Sequence, residues 1–234
     1  MKKLLILFFL FIGGAAYAQR QVDHQFNSWW TYVGNHKISE KFSVHTLYSF
    51  RRNEFLINWQ QSLTRVGLTY KIAPNLAFTL GGDWVITFPY GKQPIDQKTT
   101  ENRIFGQFVL KNNVNRLIIN HRFRVVQQSI HLPNQILKLG RLRYRFELEL
   151  PITNSTLAPQ TLFVSASNEM FVNFGSNVEV PILNQNRAFL GLGYKFNSKS
   201  ALVLGYMNQY IIKSDDVHIE SNNTLSAVVV YNLF

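Results

Sequence analysis

The sequence predicts an all-β chain, folded as a single antiparallel up-and-down transmembrane β-barrel of 10–12 strands, with twelve preferred. Three observations predict it. Apolar and polar residues alternate with a period of two along most of the chain. Short turns alternate with longer connections. The N-terminus has the form of an export signal, and no cysteine is present anywhere.

The alternation is clearest at 140–150. Leu142, Tyr144, Phe146, Leu148 and Leu150 occupy the even positions, and Arg141, Arg143, Arg145, Glu147 and Glu149 the odd ones. A helix would scatter five charges around its circumference, whereas a strand puts them on one face. In a barrel wall one face meets lipid and the other the lumen. The same phase recurs at 101–110, where Glu101, Arg103 and Gln107 alternate with Ile104, Phe108 and Leu110. It recurs at 76–86, with Asp83 opposed to Leu80 and Trp84, and at 116–126, with Arg116, Asn120, Arg122 and Arg124 opposed to Leu117, Ile119, Phe123 and Val125. At 187–196, Arg187 and Lys195 are opposed to Leu190, Leu192, Tyr194 and Phe196. His121 departs from the pattern by facing outward.

Eleven segments qualify as strands, at 28–36, 41–51, 58–72, 75–87, 100–111, 114–127, 138–150, 161–174, 186–197, 200–212 and 220–234. Tight turns are expected at 39–40, 73–75, 112–113 and 197–199, and longer loops at 52–57, 88–99, 128–137, 175–185 and 213–219. The connection 151–160 is of medium length where a short turn is expected. Short turns at one end and long loops at the other are the habit of outer-membrane barrels. An odd count conflicts with the even numbers usual for bacterial barrels. Either 28–36 is not a wall strand, or a further strand lies near 20–27 or 88–98. The outward phase of Trp30 and Tyr32 argues for twelve.

Residues 1–18 read as a cleaved signal peptide. Lys2 and Lys3 precede the apolar run Leu4 to Ile12, and Ala16-Tyr17-Ala18 forms a small-x-small cleavage site. The run is too short for a membrane anchor, which takes about 20 apolar residues. Residues 19–234 then form one outer-membrane β-barrel domain. The absence of cysteine excludes disulfide frameworks, thiolate metal sites and Cys nucleophiles. The net charge of +11 contains no nucleic-acid motif, and in an exported protein it points to anionic lipid, lipopolysaccharide or an anionic solute. A soluble barrel would also alternate, but its apolar face would point inward.

Aromatic residues gather near the strand ends. Trp30, Tyr32, Tyr70, Trp84, Tyr194 and Phe196 are expected to form the two interfacial girdles. Tyr231 and the terminal Phe234 look like the signal read by the barrel-insertion machinery.

Several stretches resemble a known family. They are Asn120-His121-Arg122-Phe123-Arg124, Gly140-Arg141-Leu142-Arg143-Tyr144-Arg145, Ser167-Asn168-Glu169-Met170-Phe171-Val172-Asn173, Asn186-Arg187, Gly191-Leu192-Gly193-Tyr194-Lys195-Phe196 and Gly205-Tyr206-Met207-Asn208-Gln209-Tyr210. Together they resemble the Bacteroidota-type outer-membrane barrel family catalogued as domain of unknown function 2490. Val126 departs from it, since the family often has a Glu near the end of the Arg-x-Arg strand. The resemblance implies an outer-membrane barrel and no particular activity.

The expected lumenal charge cluster is Arg103, Arg116, Arg122, Arg124, Arg141, Arg143, Arg145, Glu147, Glu149, Glu169 and Arg187. Buried charges persist only when paired, so one reading is a salt-bridged lumen that closes the barrel. In that case the protein has a structural or surface-interaction role. The other reading is an Arg-rich passage or binding site for small anionic solutes, since the guanidinium fork suits carboxylate and phosphate. The anionic-solute role leads and the closed barrel is its alternative. A lipid-modifying outer-membrane enzyme ranks below both, because none of the six histidines lies in a recognisable Ser or carboxylate motif. The expected partners are outer-membrane lipid, lipopolysaccharide, the insertion machinery and a small anion. No catalytic residue, metal, cofactor or nucleic acid is expected. Asp215, Asp216, His218 and Glu220 form only a weak cation-binding pattern.

Overall fold

The computed structural model describes residues 21–90, 96–175, 183–213 and 216–233. The segments 1–18 and Phe234, which carry the expected signal peptide and half of the insertion signal, lie outside them.

The described chain forms a closed barrel of eleven strands. They are β1 (Gln21–Lys37), β2 (Phe42–Asn53), β3 (Asn58–Ala73), β4 (Leu76–Thr87), β5 (Thr99–Val114), β6 (Leu117–His131), β7 (Ile136–Pro151), β8 (Thr161–Phe174), β9 (Leu183–Lys195), β10 (Ser200–Ile212) and β11 (His218–Tyr231). Each strand pairs antiparallel with the next. β1 and β11 close the ring in parallel, from Gln21 beside His218 to Val33 beside Val230.

The count is therefore eleven rather than the preferred twelve. The residues near 20–27 supply no extra strand, because 21–27 is the first part of β1. An odd number of alternating strands leaves the first and last pointing the same way. A parallel ladder, with its evenly spaced slanted hydrogen bonds, resolves this. The seam is also tied by side chains near its end. The Asn35 amide donates to Asn232 Oδ1 at 2.8 Å, the Leu233 amide to His36 Nδ1 at 3.1 Å, and the Tyr32 hydroxyl to the Tyr231 carbonyl at 3.3 Å.

One turn differs from expectation. β5 continues through Asn112 and Asn113, and the chain reverses at Asn115-Arg116 instead. Asn115 has φ 54°, a left-handed conformation that Asn tolerates better than most residues. Any of the three asparagines in Lys111-Asn112-Asn113-Val114-Asn115 could have held the turn. The loop at 128–137 is also shorter than expected, because β6 runs to His131 and β7 starts at Ile136.

The pleat puts the apolar set outside. Ile104, Leu190 and Leu80 are 69%, 61% and 56% exposed, while Arg65, Asp83 and Arg124 on the opposite face are nearly inaccessible. This is the reverse of a soluble barrel. Trp30, Tyr70, Trp84, Tyr194 and Phe196 are exposed on the outer surface, and Tyr32 is half-buried there. At the tight-turn end Tyr70 packs on Phe42 at 5.1 Å and Tyr194 on Phe196 at 5.0 Å. At the other end Trp59 packs between Phe50 at 4.6 Å and Phe88 at 5.4 Å.

Inside, two directly paired glycines floor each of two aromatic rings. Gly67 faces Gly81 beneath Phe105, and Gly191 faces Gly205 beneath Phe189. A Cβ on Gly81 would lie 2.8 Å from Phe105, and one on Gly205 would run into the Leu190 carbonyl oxygen and lie 2.6 Å from the Gly191 Cα. Gly205→Val is expected to destabilise the barrel by about 1–3 kcal/mol through overpacking. Gly82→Ala, whose Cβ meets nothing nearer than 3.4 Å, should change stability by no more than about 0.5 kcal/mol. Urea unfolding followed by the gel mobility of the folded form measures both.

Candidate functional site

The interior side chains enclose a cavity of about 520 Å³, lined from every strand except β4. Its wall is built by the alternation itself. On β7 the inward positions are Arg141, Arg143, Arg145, Glu147 and Glu149, and all five line the cavity. Arg103 and Glu101 reach it from β5, Arg122 from β6, Glu169 from β8 and Arg187 from β9.

The register brings like charges together. Arg122 stands opposite Arg145, and Arg124 opposite Arg143. Such pairs repel unless something intervenes. Glu169 does so for two of them. Its Oε1 accepts from Arg122 Nη2 at 2.8 Å and from Arg143 Nη2 at 2.7 Å. Arg145 pairs with Glu147, and Arg103 with Glu101 at 2.5 Å, both along a single strand. Arg65 grips Asp83 with two hydrogen bonds, Nε at 2.6 Å and Nη2 at 2.8 Å.

Four lumenal arginines have no carboxylate within ion-pair reach among the described residues: Arg51, Arg124, Arg141 and Arg187. Neutral acceptors hold them. Arg51 donates to Gln61 at 2.5 Å, Arg124 to Gln107 at 2.9 Å and Arg141 to Asn173 at 2.7 Å. Turned oxygen-first, the Gln185 amide accepts from Arg187 Nε at 2.7 Å. Aromatic faces complete their surroundings. Arg51 lies 3.7 Å from the centre of the Trp29 ring and Arg187 4.9 Å from it. Arg187 is also 4.8 Å from Phe171, which Arg143 approaches to 4.5 Å. Phe105 is shared in the same way by Arg65 at 4.9 Å and Arg124 at 4.5 Å. Ring quadrupoles attract cations on their faces, most strongly when water is excluded.

Arg116 is the one member of the expected cluster that lies elsewhere. The shifted turn places it outside the cavity, at the tight-turn end. There Nη2 donates to the carbonyls of Pro151, Ile152 and Asn154 at 2.8, 3.1 and 2.7 Å, tying down the 152–160 connection. Arg124 lies inside but packs beneath the cavity against Phe105 and Gln107 rather than lining it.

Several interior residues were not singled out from the sequence. Arg51, Arg65, Trp29, Phe171 and Tyr90 are the main ones. The Trp29-Trp30 pair splits between faces, Trp30 outward and Trp29 onto the cavity. Gln60 and Gln61 both turn inward because a bulge interrupts the β2–β3 register there, which no alternation rule anticipates. Tyr90, in the connection after β4, reaches into the cavity and its hydroxyl meets Glu220 at 3.5 Å. Burial and the negative charge of Glu220 raise the Tyr90 pKa above that of an ordinary phenol.

The histidines do not gather. His45 is inside, with Nδ1 2.8 Å from Asn35 Oδ1, while outward-facing His121 bonds the Tyr144 hydroxyl at 2.9 Å. The weak acidic pattern separates as well. Glu220 pairs with Lys213 at 2.6 Å and His218 lies 3.2 Å from Gln21. Asp215 falls outside the described residues, among which no group of three could hold a metal ion.

Residues 26–220 match the family described as Protein of unknown function (DUF2490). The chain belongs to this family. The match spans β1 to the start of β11, and so includes every residue of the arginine and aromatic stack. No curated protein and no solved structure matches the chain.

Glu169 is the hub of the ion pairs. Glu169→Gln is expected to cost about 3–5 kcal/mol, because it leaves two buried cations without their counter-charge. Glu149→Gln, whose carboxylate among the described residues hydrogen-bonds only Asn120 at 3.5 Å, should cost under about 1 kcal/mol. Denaturant titration of the two variants beside the parent distinguishes them.

Proposed function

We propose that this DUF2490 member is an outer-membrane β-barrel whose lumen binds and passes small anionic solutes. One observation carries the reading. Arg51, Arg141 and Arg187 face a cavity of about 520 Å³ with no carboxylate within ion-pair reach among the described residues. A planar guanidinium held by neutral amides keeps donors and charge available for a carboxylate or phosphate. The membrane location is supported by the apolar outer face, the aromatic residues near both ends and the division between tight turns and longer loops. The export-type motif in residues 1–18 agrees with it.

A closed structural barrel is the second reading. It is favoured by the packed layer of Arg65, Asp83, Phe105, Arg124 and Gln107, which fills the lumen beside β4. The two readings differ in what crosses or enters the lumen.

In planar bilayers the purified barrel should conduct with a preference for chloride over potassium. Replacing Arg51, Arg141 and Arg187 together by Gln should bring the permeability ratio towards one. A barrel that neither conducts nor binds phosphate, acetate or longer carboxylates by calorimetry would overturn the anion reading in favour of the closed one.

A further inference from the structure

The cavity wall is unlike on its two sides. Charge comes mainly from β5 to β9. From β10 through β11 and β1 to β2 a band of inward positions toward the tight-turn end is apolar, bounded beyond Val33 and Leu47 by the polar pair Asn35 and His45. Val203 stands beside Val228, Val230 beside Val33, and Val33 beside Leu47. All five line the cavity and remain half-buried, so they face lumen space rather than packing fully on one another. Water meets apolar surface there, which favours any solute that covers it.

The apolar strip leads into the basic site. Arg51 is four residues along β2 from Leu47, about 13 Å at strand rise. Trp29 holds Arg51 and Arg187 on that wall, and Arg141 and Arg143 face it from β7. A ligand spanning both regions needs an anionic end and an apolar body.

We propose that the lumen takes a single-chain amphipathic anion, its carboxylate or phosphate head on Arg51, Arg141 and Arg187 and its chain along Val33, Leu47, Val203, Val228 and Val230. The inference rests on the anion reading above and narrows it. A small inorganic anion would use only the head site and leave the strip uncovered. The strip also gives a physical basis for selection by chain length.

Calorimetry on the full barrel in lipid nanodiscs tests this, with empty nanodiscs as the blank. The probes are inorganic phosphate, acetate, butyrate, hexanoate, octanoate, octyl phosphate and the neutral alcohol octanol. Affinity should rise about fourfold for each methylene added between butyrate and octanoate, which corresponds to about 0.8 kcal/mol per buried CH₂. Octanoate and octyl phosphate should both bind, the tighter of the two naming the natural head group. Val33→Ser with Val230→Ser should flatten the chain-length series, whereas Arg187→Gln should weaken every anion. If phosphate and acetate bind but affinity does not grow with length, the amphipathic inference fails and the anion reading stands. Octanol binding as tightly as octanoate would also sink the inference. If no anion of any length binds, the anion reading falls with it. The length series on the unmodified barrel decides the matter even if the double variant does not fold.

Discussion

Arg51, Trp29, Arg187, Phe171 and Arg143 form one continuous stack across the lumen, cation against ring against cation. A second, shorter one runs Arg65, Phe105, Arg124. Nearly every other feature of the interior follows from the need to keep these arginines apart and satisfied. With like charges directly opposed between β6 and β7, the wall would repel itself without Glu169 and the two rings. The rings in turn need room beside the wall, and the inward glycines Gly67 and Gly81 provide it under Phe105. The stack also explains how a cation can remain in the lumen with no carboxylate. Each cation–ring contact is worth about 0.5–2 kcal/mol, and the amide acceptors Gln61, Asn173 and Gln185 add charge-assisted hydrogen bonds.

This arrangement separates two jobs that a lumenal charge can perform. Arg65 and Asp83, gripping each other at 2.6 and 2.8 Å, are satisfied internally and close space. Arg51 and Arg187 are held in place by groups that do not cancel their charge. A guanidinium resting on a ring still has free edges, whereas one in a bidentate ion pair has spent its strongest donors. The functional reading therefore depends on the identity of the partners more than on the number of arginines.

Much of this was legible in the sequence, and the limits are physical. The faces were legible because period two is a local property. Arg141, Arg143, Arg145, Glu147 and Glu149 could be assigned to one side without knowing their neighbours. Register is not local, so the sequence could not say that Arg122 meets Arg145 or that Glu169 reaches Arg122 and Arg143. The Asn-rich run at 112–115 offered several equivalent turns, and the wrong one carried Arg116 into the expected cluster. Residues 21–27 alternate weakly, which hid the first part of β1, and the preference for twelve came from the even strand numbers usual for bacterial barrels, which a parallel seam does not obey. Trp29 and Phe171 were in view throughout. Nothing marked a buried aromatic as a partner for charge rather than a piece of apolar packing.

The parallel seam has a consequence for how the barrel comes together. Ten of the eleven strand pairs join sequence neighbours and can form one hairpin at a time, with short loops to close. The pairing of Gln21 with His218 joins the two ends of the described chain, and no turn can template it. Its entropy must be met before any of its hydrogen bonds form, and such distant contacts are what slow folding. Until it forms, β1 and β11 are two open edges, each able to pair with a wrong strand. The ties from Tyr32 to the last residue of β11, and from Asn35 and His36 to Asn232 and Leu233 just after it, would then act as a latch that makes the last step of closure hard to reverse.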